Sequence, residues 1–272
     1  MSEMSVLEAS GYVTPDWAIH RPEVAQGTIN ELRLQSRALR REVHFSVYAP
    51  ARADETRRYP LLVAHDGGEL LEYSSFGVVL DNLMHRGMMA DSFVALLHPK
   101  DRMREYAANA AHARFVNTEL LPNLEQTLPL RRHPDARVLL GASLGAVASL
   151  DTAVRAPGYW GGLLLESGSF RDNIGGWSGA PAAIQRTSRF VRSLLRRRRP
   201  AARRIFQTYG MFEPLVEANR EFSRVLRGMS DELHVFEALD GHSWTNWRDR
   251  MADGLGWLLP REDTGIAELR AS

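Results

Sequence analysis

The sequence predicts one α/β domain, with a mostly parallel central sheet, helices on both faces and an antiparallel pair at its N-terminal edge. Three observations lead there. Short continuous apolar runs recur along the chain, as strands buried on both faces require. Segments with apolar residues at helical spacing lie between them, which gives βαβ units. Ahead of these, two runs of alternating apolar and polar residues sit a few positions apart, the pattern of an antiparallel pair.

In chain order, residues 1–25 show no period and contain Pro15 and Pro22, so an irregular lead-in is expected. Residues 28–34 and 41–48 form the alternating pair, the second with Val43, Phe45 and Val47 on one side. The buried-strand runs follow at 60–65, 93–97, 138–140, 163–165, 205–206 and 233–238. Between them, Val79, Leu80 and Leu83 make a helical stripe that ends at Gly87, a suitable C′ glycine. Phe115, Val116 and Leu120 make a second, and Leu215, Ala218, Phe222 and Leu226 a third. Trp244, Trp247, Met251 and Leu258 make a fourth, stopped by Pro260. There is no internal repeat and no Gly/Ser linker, so residues 1–272 read as one domain, with a cap or insertion at 171–203.

Composition narrows the function classes. Hydrophobic residues make up 44% and charged residues 25% of the 272, which argues against wholesale disorder. No run of ~18 apolar residues exists, so no membrane span is expected. The start, MSEMSVLEAS, has no basic stretch followed by an apolar one, so no secretory leader and a cytoplasmic location are expected. Cysteine is absent, which excludes disulfides, cysteine nucleophiles and thiolate metal sites. The 34 basic residues nearly balance the 33 acidic ones, so nothing overall points to nucleic acid. The balance hides a concentration: residues 186–204 carry nine arginines and no acid, leaving 25 basic against 33 acidic residues elsewhere.

The stretch that carries chemistry is Arg137-Val-Leu-Leu-Gly141-Ala-Ser143-Leu-Gly145, a G-x-S-x-G between a strand-like and a helix-like run. In that context the serine occupies a tight strand-to-helix turn, and small residues are needed at Gly141 and Gly145 because helix and strand approach closely. A serine nucleophile needs a base, which in this chain order follows an acid. His234 opens an apolar run and reads as a strand residue, whereas His242 lies in a loop before the last helix and can reach back over the sheet. Glu213 is the first acid after the penultimate strand, with Glu217 one turn later; Asp240, Glu166 and Asp172 are fallback positions. The oxyanion would take the Leu144 N–H and a second donor from the glycine pair Gly67-Gly68 after the first central strand. His65-Asp66 as a metal pair lacks partner ligands at suitable spacing, so no metal and no cofactor is expected.

With these residues in place, the chain resembles the putative-esterase family of α/β hydrolases, which includes enterochelin, feruloyl and acetylxylan esterases, S-formylglutathione hydrolases and mycolyltransferases. The landmarks lie between about 38 and 259: Val47-Tyr-Ala-Pro50, Asp66-Gly67, Arg102-x-x-Glu105-Tyr106, Glu119-Leu-Leu-Pro122, the serine motif, and Gly241-His242-x-Trp244-x-x-Trp247-Arg248. The last is most similar to the enterochelin-esterase branch. The resemblance implies the α/β-hydrolase fold, Ser143, Glu213 and His242 as a triad, and an oxyanion donor near Gly67. It also implies Arg102, Glu105, Tyr106 and Trp244 as substrate contacts. For Arg102 and Glu105 the favoured alternative is an ion pair bracing the loop, since arginine–carboxylate pairs are common struts.

The expected activity is therefore serine hydrolysis of a small-molecule carboxylic ester, an enterochelin-type siderophore ester being one candidate and feruloyl, acetylxylan and S-formylglutathione esters the others. A non-catalytic hydrolase fold used as a binding module is the rival from another class. The arginine block reads as a solvated helix and loop in preference to a cap that attracts an anionic substrate. It lacks stacking aromatics apart from Phe190, which disfavours nucleic acid.

Overall fold

The computed structural model describes residues 10–173 and 181–261. A hairpin of β1 (Thr28–Ser36) and β2 (Arg41–Ala49) opens the sheet, each strand nine residues long and antiparallel throughout. β3 (Leu61–Ala64) leads into α1 (Gly67–Tyr73) and α2 (Phe76–His85), and β4 (Phe93–Leu97) into α3 (Arg102–Tyr106). α4 (Ala110–Phe115) and α5 (Leu121–Thr127) are joined by a π-helical turn, where the second stripe predicts one helix; Pro122 sits at the start of α5. Then come β5 (Arg137–Ala142), α6 (Leu144–Val154), β6 (Gly162–Glu166), α7 (Ala182–Arg196), β7 (Arg204–Gly210), α8 (Val216–Leu226), β8 (Glu232–Ala238) and α9 (Trp244–Leu258).

These strands form one sheet in the order β1-β2-β4-β3-β5-β6-β7-β8, antiparallel from β1 to β4 and parallel from β4 onward. The mostly parallel sheet with an antiparallel edge is thus the observed fold class. Residues of the central strands alternate between the two cores, as the twofold period of a strand dictates. Leu61 and Val63 of β3 face one side with Ala95 and Leu139; Leu62 and Ala64 face the other with Val94 and Leu140. Helices α4 to α8 cover the first face, while α1, α2 and α9 cover the second.

α6 shows why one helix has no stripe: all eleven of its residues are buried, so apolar side chains are wanted all round. Helix α7 is the opposite case. Phe190, Val191 and Leu194 are buried, and Arg189, Arg192 and Arg196 stand in solvent. Gly87 has φ +66°, the left-handed turn expected after α2. Part of the lead-in is anchored, because the Asn82 amide donates to Trp17 O and Ile19 O at 2.9 Å. Residues 174–180 of the expected cap lie outside the described residues; the rest of that segment is chiefly α7. No described helix is long and apolar enough to cross a membrane.

Candidate active site

Parallel strands bring their C-terminal ends to one edge of the sheet, and the loops there collect the polar residues. Ser143 occupies the turn between β5 and α6 with φ 56° and ψ −115°, a conformation unfavourable for any residue with a Cβ. The surroundings demand it. A Cβ on Gly141 would lie 2.2 Å from Gly145 O, so strand and helix meet with no room for a side chain. The Ser143 N–H donates to Glu166 O at 2.8 Å, and its carbonyl accepts from Ser169 N–H at 3.0 Å, which pins the turn to the end of β6.

His242 arrives from the loop between β8 and α9. Its Nε2 lies 3.1 Å from Ser143 Oγ, and its Nδ1 lies 3.1 Å from Glu213 Oε2. A buried carboxylate facing Nδ1 assigns the proton to that nitrogen, leaving Nε2 to accept from the serine hydroxyl. Glu213 is 3% exposed and His242 half-buried. The Trp247 ring stands edge-on to the imidazole, 4.9 Å away at 82°, while its Nε1–H donates to Ser167 Oγ. Of the other acids, Asp240 pairs with Arg250 at 3.4 Å, Glu217 with Arg220 at 2.7 Å, and Asp172 is exposed.

The loop after β3 faces the serine from the other side. Asp66 sits in the left-handed region, φ 61° and ψ 42°, at the N-cap of α1. Gly67 and Gly68 begin α1 and Leu144 begins α6, so none of these N–H groups has an acceptor within its own helix. Gly67 is obligatory: a Cβ there would lie 2.5 Å from Leu96 Cβ.

Arg102 holds this loop. Its Nε and Nη2 donate to the two Asp66 oxygens, each at 2.7 Å. The expected Arg102–Glu105 pair does not form, because Glu105 points the other way and takes a bidentate bond from Arg41 at 2.6 and 2.7 Å. Each residue braces a loop, but with a partner distant in sequence. Nor do Glu105 and Tyr106 face the substrate side. Both are buried, and the Tyr106 hydroxyl accepts from Asp66 N–H at 3.1 Å. Trp244 packs on Trp247 and Tyr73. His234 lies in the edge strand β8, stacked on Phe206 and tilted against Trp257, and takes no part in the serine site.

A pocket of about 620 Å³ opens at Ser143, between Arg102 and Met103 on one side and Ile184, Thr187 and Ser188 of α7 on the other. A model of the Putative esterase family matches residues 36–258. The chain belongs to this family. That membership places it among carboxylic ester hydrolases. It is 26% identical to the uncharacterized protein YjcH of Bacillus subtilis over 242 residues, covering 86% of this chain and 98% of the other. It is also 26% identical to the iron(III) enterobactin esterase of Dickeya dadantii, covering 90% of this chain and 58% of that protein. Among solved structures, the enterobactin esterase of Shigella flexneri superimposes with a TM-score of 0.75 at 24% identity, over 91% of this chain and 62% of that one. A ferulic acid esterase gives 0.72 at 17% identity, over 86% and 98%. The chain thus spans about three fifths of the enterobactin esterases it matches, and these structural likenesses speak for the fold.

Sequence reasoning about this esterase missed three contributors to the pocket: Ser169, whose Oγ lies 3.3 Å from Ser143 Oγ, Arg171, and the inner face of α7. A signal existed for the first two, since both follow β6 at the C-terminal sheet edge where ligands bind in such folds. The arginines of 186–204 are mostly elsewhere. Arg189, Arg192, Arg196, Arg197 and Arg198 are exposed and none lines the pocket.

Three buried groups, Glu166, His65 and His112, are expected to make stability depend on pH. Burial pushes the Glu166 carboxyl up to about 8 from an ordinary 4.5, with the charge of Asp240 adding to the shift and that of Arg250 opposing it. Neither Glu166 oxygen has a hydrogen-bond partner among the described residues. On the other side, His65 Nε2 lies 3.0 Å from His112 Nε2, and burial lowers His65 to about 4 from 6.5 and His112 in the same direction. The signs oppose. Above pH 4.5 the unfolded chain has released the Glu166 proton that the fold retains, so stability falls as pH rises towards 8, by about 5 kcal/mol at most. Below pH 6.5 the unfolded chain protonates His65 while the fold does not, so stability falls as pH drops towards 4, by about 3 kcal/mol. Thermal unfolding from pH 4 to 9 is expected to peak near pH 6. Glu166→Gln should flatten the alkaline side and steepen the rise between pH 4.5 and 6.5, where the two effects oppose each other; two parallel curves would contradict this origin.

Proposed function

We propose that this chain hydrolyses carboxylic esters through Ser143, His242 and Glu213, and that its natural substrate is an ester of the siderophore type. The observation that carries the reading is the unbroken relay from Ser143 Oγ to His242 Nε2 and from Nδ1 to Glu213 Oε2, both steps at 3.1 Å. His242 takes the serine proton as Oγ attacks the ester carbonyl, and Glu213 holds the imidazole orientation and balances its charge. The Leu144 and Gly67 N–H groups receive the oxyanion. His242 then protonates the departing alcohol, and a water deprotonated by the same nitrogen cleaves the acyl-enzyme.

Support for the siderophore substrate comes from the enterobactin esterases among the relatives, and from the Gly241-His242-x-Trp244 ending. A feruloyl-type ester is the second reading, favoured by the ferulic acid esterase that this chain covers almost end to end. A hydrolysis screen over a catecholate trilactone, methyl ferulate, S-formylglutathione and short 4-nitrophenyl esters separates them. The expected result is turnover of all simple activated esters and a kcat/KM at least ~100-fold higher on the trilactone, the discrimination that a fitted pocket supplies. Preference for methyl ferulate would transfer the assignment to the second reading.

A further inference from the structure

We infer that the pocket selects esters carrying an anionic group, and that Arg171 supplies the counter-charge. The inference deepens the esterase reading and rests on it. Two guanidinium groups, Arg102 and Arg171, line the pocket, and no carboxylate does among the described residues. The charge of Arg102 is already matched, since its Nε and Nη2 donate to the two Asp66 oxygens. That of Arg171 is not. Its Nη2 donates to Pro214 O, a neutral acceptor, and no ion pair to it forms among the described residues. The bond to Pro214 ties Arg171 to the loop that carries Glu213, so the cation is held in place at the pocket while its side chain remains exposed.

Beside Ser143, the lining includes the apolar Met103, Leu144, Ile184 and Leu215 and the neutral polar Ser169, Asn173, Thr187 and Ser188. Such walls suit an apolar body, and a cation among them suits one negative charge on that body. An ion pair at the mouth of an apolar pocket is less screened than one in open solvent. A second observation agrees. α7, which forms the pocket wall, presents Arg189, Arg192 and Arg196 on its outer face with no carboxylate partner among the described residues. These exposed cations add to the positive potential around α7, and a local excess of positive charge raises the encounter rate of anions. The ligand class is thus an ester bearing a carboxylate or comparable anion, on either the acyl or the alcohol side.

The test compares matched pairs. Mono-4-nitrophenyl succinate is set against 4-nitrophenyl butyrate for the acyl side, and 4-acetoxybenzoate against its methyl ester for the alcohol side. On wild type, the anionic member of at least one pair should have a kcat/KM about tenfold higher, as one hydrogen-bonded charge contact gives. Arg171→Gln should bring that ratio close to one, chiefly through KM, and Arg171→Lys should retain part of it. Raising the salt to 1 M should shrink the ratio as well. Binding of the same intact esters to the Ser143→Ala protein gives the ratio without turnover. Equal or reversed preference in both pairs, or an unchanged ratio in Arg171→Gln, overturns the assignment of Arg171. A Kd ratio that follows Arg171 while no ester is cleaved by wild type would instead overturn the esterase reading and uphold the anion site.

Discussion

Replacing Ser143 by alanine is expected to lower kcat for every ester by ~10⁴-fold or more, because on the proposed mechanism the attacking oxygen is removed while the amide donors remain. The fold stays intact. Alanine occupies the same turn, and among the described residues the serine Oγ bonds only to His242 Nε2 and Ser169 Oγ. The Ser143→Ala protein should unfold within a few degrees of wild type and should no longer react with a fluorophosphonate probe. Activity near the wild-type level would remove Ser143 from the mechanism, and loss of activity together with loss of structure would point to the strained turn instead. The measurement is therefore a pair, kcat and the unfolding temperature on the same sample.

Arg102→Met is expected to have the largest effect on stability and to reduce turnover as well. Asp66 has a side chain 1% exposed, and its carboxylate depends on the two bonds from Arg102. Burial raises its pKa even with Arg102 present, which shows how little solvation remains. Leaving it unpaired costs about 3–5 kcal/mol, roughly 10 °C for a chain of this size. Asp66 also holds a left-handed turn at the N-cap of α1, next to the Gly67 N–H, so slackening it should lower kcat by ~10²-fold, the typical loss for one oxyanion donor. The double variant Asp66→Asn with Arg102→Met should recover much of the stability, since no buried charge is left over, but not the turnover. Stability unchanged in Arg102→Met would show that the clamp is a surface pair of small worth.

The strands and the serine turn are legible in the sequence because each depends on its own residues. Runs such as Leu61–Ala64 have to be apolar on both faces, and Gly141 and Gly145 have to be small whatever else surrounds them. His242 is legible from position, since in the Ser–acid–His chain order of this fold the candidate base lies in a loop after the last strand, at the same sheet edge. α4, α5 and the π-helical turn between them share one stripe in the sequence, because a π-type turn shifts the helical phase by a residue without changing composition. The inner wall of α7 is masked by its arginines. Its periodicity separates Phe190, Val191 and Leu194 from Arg189, Arg192 and Arg196, but so dense a charge matches a solvated segment as well as a helix with one buried face.

Partner choice is the part that residue order could not supply. Arg102 and Glu105 stand three residues apart on a one-turn helix, and that spacing is compatible with a direct pair. The fold sends them to Asp66 and Arg41 instead, at 36 and 64 residues' separation. The reason is physical: Asp66 and Glu105 are both buried, so each needs a guanidinium, and the fold brings Arg102 to the one and Arg41 to the other. By itself, then, the sequence determined the layers, the strained serine turn and the chemical types at the site, all of which follow from local sterics and burial period. Tertiary structure decided which charges face each other, which arginine stands unmatched in the pocket, and which carboxyl and imidazoles are sealed from water. Those outcomes depend on distances between segments far apart in the chain, and on a dielectric environment that exists only once they have packed.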